Sequence, residues 1–221
     1  MFEHDTRAWK DAIYSQFARI GKALSSPKRL EILELLSQGP KTVETLARET
    51  EASVANVSQH LQVLLQARMV RFEKQGTYAV YQLSSGTTNK LLLLFEDLGE
   101  EILAEINQLR EELTNNTDFP EPLSLEELET RLSSGDITLI DVRPKEEYDV
   151  SHIPGAISIP ITELQTKLSS LPRDKEIVSY CRGPYCVYAI KATEVLSMKG
   201  FKALRLQEGV REWNERHSTD C

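Results

Sequence analysis

The stretch Tyr180-Cys181-Arg182-Gly183-Pro184-Tyr185-Cys186-Val187 sets a cysteine directly after an apolar run and shortly before a helical one. Glu176 to Tyr180 reads as a short buried strand, and Val187 to Ala192 as the start of a helix. A tight turn with Gly183 and Pro184 joins them, so the sulfur is delivered to a helix N-terminus. Unpaired backbone N–H groups and the helix dipole favour an anion there. The thiolate is such an anion and is the nucleophilic form of cysteine. Cys181 is therefore a candidate reactive thiol for sulfur or oxyanion chemistry, beside the plainer alternative of a structural cysteine after a strand.

The flanking elements would have to hold this loop. Thr138 to Arg143 reads as a second strand, ending in the charges of Asp141 and Arg143. Glu146-Glu147-Tyr148 and Ser151-His152-Ile153-Pro154-Gly155-Ala156 follow, and Ala203-Leu204-Arg205-Leu206 and Gln207-Glu208-Gly209-Val210-Arg211-Glu212-Trp213 close the chain. From about Leu123 to Trp213 this order and spacing resembles a rhodanese domain. Two positions depart from that pattern: Ser151 precedes His152 where Gly is common, and Glu208-Gly209 stands for a Gly-Gly pair.

The resemblance implies an α/β fold with a parallel sheet. It implies that Cys181 accepts sulfane sulfur as a persulfide, from a donor such as thiosulfate or a low-molecular-weight persulfide. Backbone N–H groups of the loop from Arg182 to Val187, through Gly183, Pro184, Tyr185 and Cys186, would cradle that sulfur. Asp141 and Arg143 belong to the same implied site, and no cofactor is expected. Phosphatases of this fold end a longer loop in Arg, which grips phosphate; neither Cys186 nor Val187 is Arg, so sulfur is favoured. Arg182 is expected to be solvent-exposed, with attraction of thiosulfate as its alternative role. A thiol at Cys186 could attack a persulfide on Cys181, but the reading adopted is that Cys186 packs at the helix start. Cys221 is a terminal thiol and a poorer partner.

The N-terminal half carries a different pattern. Ala23 to Leu36 begins a helix with a serine cap and an early Pro27. Thr42 to Glu49 and Ser53 to Leu64 read as two short capped helices, the second buried through Val57, Leu61 and Leu64. Its Asn56, Ser58, Gln59 and His60 fall on the outer face, as in a helix-turn-helix. Met69 to Leu83 alternates and turns at Gly76, a β-hairpin in the place of a wing. From about Ala18 to Leu83 the chain resembles the ArsR/SmtB family of winged-helix repressors, through Leu24-Ser25-Ser26-Pro27-Lys28-Arg29-Leu30, Asn56-Val57-Ser58-Gln59-His60-Leu61 and Tyr78-Ala79-Val80-Tyr81-Gln82-Leu83. The resemblance implies a double-stranded DNA operator as partner. Ser53, Asn56, Ser58, Gln59 and His60 would face its major groove, and Arg71, Lys74 and Gln75 its backbone or minor groove.

Charge is divided accordingly. The chain has a net charge of −8. Yet residues 14–84 hold nine Lys and Arg against six Glu, whereas residues 85–135 hold three against twelve acidic side chains. A modest positive region suits DNA contact through one face. Leu91, Leu94, Leu98, Ile102, Ile106, Leu109 and Leu113 recur at helical steps, which predicts one amphipathic helix from Thr87 to Leu113. Its Leu91–Phe95 run is too short to span a membrane. With a first helix over Ala8 to Ile20, bearing Trp9, Ile13, Phe17 and Ile20, the resemblance implies a homodimer interface.

The expected organisation is a winged-helix domain over 1–113, a linker over 114–122 and a rhodanese-like domain over 123–221. Three cysteines and no leader-like or membrane-length apolar segment suit a reducing cytoplasm. The expected function is a DNA-binding transcriptional regulator whose rhodanese-like domain carries sulfane sulfur, with sulfurtransferase activity in that domain. The alternative is a sulfurtransferase in which the winged helix serves dimerisation. No metal site is expected, because no cysteine precedes Cys181 and the four histidines are scattered. Zinc, cadmium or arsenite at stoichiometric amounts should then leave operator affinity unchanged for a truncation ending near Thr117. Metal-induced release in an anisotropy titration would contradict this.

Overall fold

A computed structural model of the protein describes residues 6–115 and 122–217. Residues 116–121 of the linker expected at 114–122, and Cys221, lie outside these residues. The chain forms two compact units, residues 1–92 and 93–221.

In the first unit, α1 (Thr6–Leu24), α2 (Pro27–Ser37), β1 (Lys41–Thr42), α3 (Val43–Glu49), α4 (Val54–Gln66), β2 (Val70–Gln75) and β3 (Tyr78–Leu83) follow in order. The helix starts match the residue chemistry. Ser26 stands at the N-cap of α2 in extended backbone with Pro27 next, although its hydroxyl makes no cap bond. The Thr42 and Ser53 hydroxyls accept the N–H groups of Thr45 and Asn56, each at 3.2 Å, and so satisfy first-turn donors of α3 and α4. The strands form one antiparallel sheet in the order β1-β3-β2. Gln75 pairs with Tyr78 across a tight turn, where Gly76 takes a φ of +62°. Ile32, Leu33, Leu46, Val57, Leu61 and Leu64 are fully buried at the centre. Helix α1 is longer than the expected Ala8–Ile20 and buries only Ala23 and Leu24. Trp9, Ile13, Phe17 and Ile20 remain exposed along it.

The single helix expected from Thr87 to Leu113 is two helices, α5 (Gly86–Ile102) and α6 (Ala104–Asn115), broken at Leu103. The division between the units falls within α5. The Asn107 side-chain amide donates to the Glu100 carbonyl at 3.1 Å, the acceptor that the Ala104 N–H would use in a continuous helix. Arg110 pairs with Glu100 at 2.7 Å, and a Cβ at Gly99 would lie 3.0 Å from Ile106 Cδ1. Seven residues of straight helix span about 10 Å, so these contacts require the chain to fold back at Leu103.

The rest of the second unit contains α7 (Leu125–Ser134), β4 (Ile137–Asp141), α8 (Lys145–Val150), β5 (Ile157–Ser158), α9 (Leu164–Lys167), β6 (Glu176–Tyr180), α10 (Val187–Met198), β7 (Ala203–Arg205) and α11 (Val210–His217). A capping box starts α7: Ser124 Oγ accepts the Glu127 N–H, and the Glu127 carboxylate accepts the Ser124 N–H. The four strands are parallel in the order β5-β4-β6-β7, with Asp141 opposite Tyr180. Leu123 extends the sheet by a parallel bridge to Leu206. Alternate side chains point to opposite faces, as a strand requires. Ile137, Leu139, Val178, Tyr180 and Leu204 enter one core with Leu125 and Leu128. Ile140, Ile177 and Ala203 enter the other with Ala189, Ala192 and Leu196 of α10. Apolar residues on both faces explain why β4 and β6 read as nearly continuous apolar runs.

Leu61→Ala removes a fully buried side chain from the first core. It is expected to cost about 2–5 kcal/mol, measured by urea unfolding.

Candidate functional site

Strand β6 ends at Tyr180, and the chain turns through residues 181–186 into α10. Cys181 is 2% exposed and packs in the second core of its unit. Cys186 is half-buried at the N-cap of α10 in extended backbone, and its side chain makes no cap bond. A turn closes the loop, with the Cys186 N–H donating to the Gly183 carbonyl at 3.2 Å. The expectation that Cys186 only packs is corrected: it is disulfide-bonded to Cys181, with their Cα atoms 6.2 Å apart. The separation lies inside the range a disulfide allows, because the tight turn draws the two ends of the loop together.

The exposure expected for Arg182 is also corrected. It is buried and forms a forked pair with the buried carboxylate of Glu147 in α8, Nε to Oε2 at 3.0 Å and Nη2 to Oε1 at 2.6 Å. The physical reason is compensation. A guanidinium enters the interior only where a carboxylate meets it in matching geometry. Below the strand ends Asp141 and Arg143 form a second buried pair, with Arg143 Nη2 2.6 Å from Asp141 Oδ2 and 2.8 Å from the Ser151 carbonyl. Burial works against the charge of Arg143, but the bonds to Asp141 outweigh it and raise its pKa. Tyr180 carries the frame further: its hydroxyl accepts the Ile153 N–H at 3.1 Å, and burial pushes its pKa upward.

On the outer side of the loop, Arg211 of α11 is buried and bonded to Glu96 at 2.7 Å and to Glu212 at 3.3 Å. Its Nη2 and the Glu212 carboxylate both lie 3.5 Å from where a Cβ at Gly183 would stand. Burial raises the pKa of Glu96, against the opposing pull of Arg211. Tyr185, at the loop tip, donates its hydroxyl to Glu100 at 2.7 Å. Burial and that bond raise its pKa. Gly209 packs on the loop backbone, where a Cβ would overlap the Arg182 carbonyl and lie 2.8 Å from the Cys181 carbonyl oxygen. Val187 begins α10 with an exposed side chain, and Pro184 is half-buried. Glu147, Arg211, Glu212 and Tyr180 lie within motifs of the sequence, but local sequence gives them no role at the loop. Glu147 sits among exposed acidic neighbours, and nothing local marks it as the one that is buried.

On the first unit, Ser53 caps α4, and Asn56 and Gln59 are exposed on its outer face. Ser58 and His60 are half-buried there. Partial burial, then the charges of Arg29 and Lys28, lower the pKa of His60. Arg71, Lys74 and Gln75 are exposed along β2, and the Arg71 guanidinium reaches Gln82 at 3.4 Å. Among the described residues no group of three or more His, Cys, Asp or Glu is placed to hold a metal, and no helix is long and apolar enough to cross a membrane.

Comparison with known proteins follows the same division. Residues 26–71 match the family model described as bacterial regulatory protein, arsR family, and residues 124–216 match the rhodanese-like domain. Over 204 residues the chain is 38% identical to the HTH-type transcriptional regulator Rv0324 of Mycobacterium tuberculosis, covering 92% of this chain and 89% of that protein. It is 32% identical over 111 residues to the human thiosulfate:glutathione sulfurtransferase, covering 43% of this chain and 95% of that protein. Among solved structures, the homodimeric winged helix-turn-helix DNA-binding domain Mb0332 from Mycobacterium bovis is 32% identical. It covers 47% of this chain and 91% of its own length, with a TM-score of 0.42.

Glu147→Gln leaves the buried Arg182 guanidinium without its countercharge. It is expected to destabilise the second unit by about 3–5 kcal/mol, read as a lowered urea midpoint. An unchanged midpoint would contradict the assigned pairing.

Proposed function

Because the chain belongs to the arsR-family transcriptional regulators and carries a rhodanese-like domain after its winged helix-turn-helix, we propose that it couples the sulfur state of Cys181 to occupancy of a DNA operator. The observation that carries this reading is the placing of Cys181. It stands at the carboxyl end of a central parallel strand, at the entry to α10, in a loop pinned by Arg182, Tyr185 and Gly209. Crevices at the carboxyl ends of parallel strands are where α/β sheets bind ligands. Reduced, Cys181 is a thiol in the turn that leads into α10, and a helix N-terminus nearby favours a thiolate. Sulfane sulfur from thiosulfate or a persulfide is its substrate, with sulfurtransferase activity as the reaction.

DNA engagement is proposed for α4 and the wing. Asn56 and Gln59 present amides capable of bidentate pairing with adenine. Lys74 and Arg71 on β2 reach phosphate, and Ser53, Ser58, His60 and Gln75 complete the face. The protein acts as a cytoplasmic homodimer. The exposed apolar side chains of α1 and of α5, including Trp9, Phe17, Leu94 and Leu98, support this, since each leaves an uncovered stripe in a single chain. A two-fold dimer sets its recognition helices about one DNA turn apart, roughly 34 Å.

Asn56→Ala or Gln59→Ala should weaken cognate binding by about 1–3 kcal/mol and relax base preference, while Lys74→Ala should weaken all duplexes alike and flatten the salt slope. In the same gel-shift series, Cys181→Ser should make affinity blind to a sulfane donor. A donor response retained by Cys181→Ser would remove the rhodanese-like domain as sensor. Wild-type operator binding by both α4 variants would remove the recognition face.

A further inference from the structure

We propose that Cys181 and Cys186 form a two-thiol site that reduces the sulfur it accepts: sulfane sulfur loaded on Cys181 leaves as sulfide, and the loop closes to the Cys181–Cys186 disulfide. This rests on the reading of Cys181 as the sulfur acceptor and adds a reaction that a single loop cysteine cannot perform.

The observations converge on the second thiol. The two sulfurs are bonded while their backbones are held at a Cα separation of 6.2 Å. The loop is anchored at its edges by contacts that do not involve either sulfur. Arg182 is forked onto Glu147, Tyr185 onto Glu100, and the Gly209 backbone packs against the Cys181 and Arg182 carbonyls. The Cys186 N–H is bonded to Gly183, but its sulfur takes no part in capping α10. That sulfur is therefore free to turn to Cys181 rather than to the helix donors. Its position at the N-cap of a helix of 12 residues favours its thiolate, as required of an attacking thiol.

The chemistry balances. A Cys181 thiolate attacks the sulfane sulfur of thiosulfate, forming Cys181–S–S⁻ and releasing sulfite. The Cys186 thiolate then attacks Sγ of Cys181, the inner sulfur of the persulfide. The bond from Sγ to the outer sulfur breaks, and that sulfur takes the electron pair and one proton from water and departs as hydrosulfide. Two thiols are oxidised to one disulfide, and sulfane sulfur is reduced to sulfide. The Sγ–Sγ bond is the one that attack on the inner sulfur would leave, whereas attack on the outer one would only move the persulfide to Cys186. A dithiol reductant returns the disulfide to two thiols and completes the cycle.

The experiment uses full-length protein with Cys221→Ser, to remove the third thiol. The protein is reduced, freed of reductant and given thiosulfate without oxygen. Sulfite, sulfide and intact mass are read from one sample. The expected result is about one sulfite and one sulfide per chain, with a net loss of two hydrogens from the protein. With Cys186→Ser, sulfite release and a gain of one sulfur atom should persist, while sulfide falls by at least about tenfold. A stable added sulfur in the parent protein, without sulfide, overturns the proposal and leaves Cys181 as acceptor. So does undiminished sulfide from Cys186→Ser. Neither sulfite release nor added sulfur in either protein overturns the acceptor reading itself, and this proposal with it.

Discussion

The buried pair between Arg182 and Glu147 is the interaction on which the sulfur-bearing loop depends. A guanidinium in a low-dielectric interior is tolerated only when fully compensated. The two bonds at 3.0 and 2.6 Å supply that compensation and tie the residue after Cys181 to a helix 35 positions earlier. The carbonyls of Cys181 and Arg182 are then presented to Gly209, which has no side chain to displace them. Beneath, the Asp141–Arg143 pair and Tyr180 tie the ends of β4 and β6 to the Ser151–Ile153 segment. The position of one sulfur atom follows from these three layers more than from the loop's own sequence.

The two units solve different problems with different means. The first presents a surface: the hydroxyls of Thr42 and Ser53 cap α3 and α4, and its core is a single cluster behind α4. The second presents a buried point. It places the loop at the end of a sheet packed on both faces, so the backbone leading to Cys181 is fixed from each side. Charge follows the same logic. On β2 of the first unit Arg71 and Lys74 are exposed, whereas the loop of the second unit meets guanidinium groups already neutralised by carboxylates.

Much of this was legible in the sequence because it is local. The hydroxyls at Thr42 and Ser53, the Gly76 turn, the strand at Glu176–Tyr180 and the start of α10 are all read within a few residues. What was not legible is long-range. The leucine spacing runs unbroken through Ile102, Ile106 and Leu109, yet the helix breaks at Leu103 because Asn107 and Arg110 reach back to Glu100. Arg182 reads as a surface residue from its neighbours in sequence, and its burial depends on Glu147, 35 positions away. The spacing of Cys181 and Cys186 allowed either a bond or simple packing, and only the turn bringing Cys186 to Gly183 distinguishes them.

His60 is half-buried on the outer face of α4, near the charges of Arg29 and Lys28. Histidine is the side chain whose charge ordinarily changes near neutral pH. Here its neutral form is favoured, first by burial and then by two neighbouring cations. Acidification therefore charges this imidazole less readily than one held in solvent. In its neutral form the imidazole keeps one ring donor and one ring acceptor. If α4 reads the operator as proposed, mild acidity changes that face less than a free imidazole would, and variation in operator affinity falls to chemistry elsewhere in the chain.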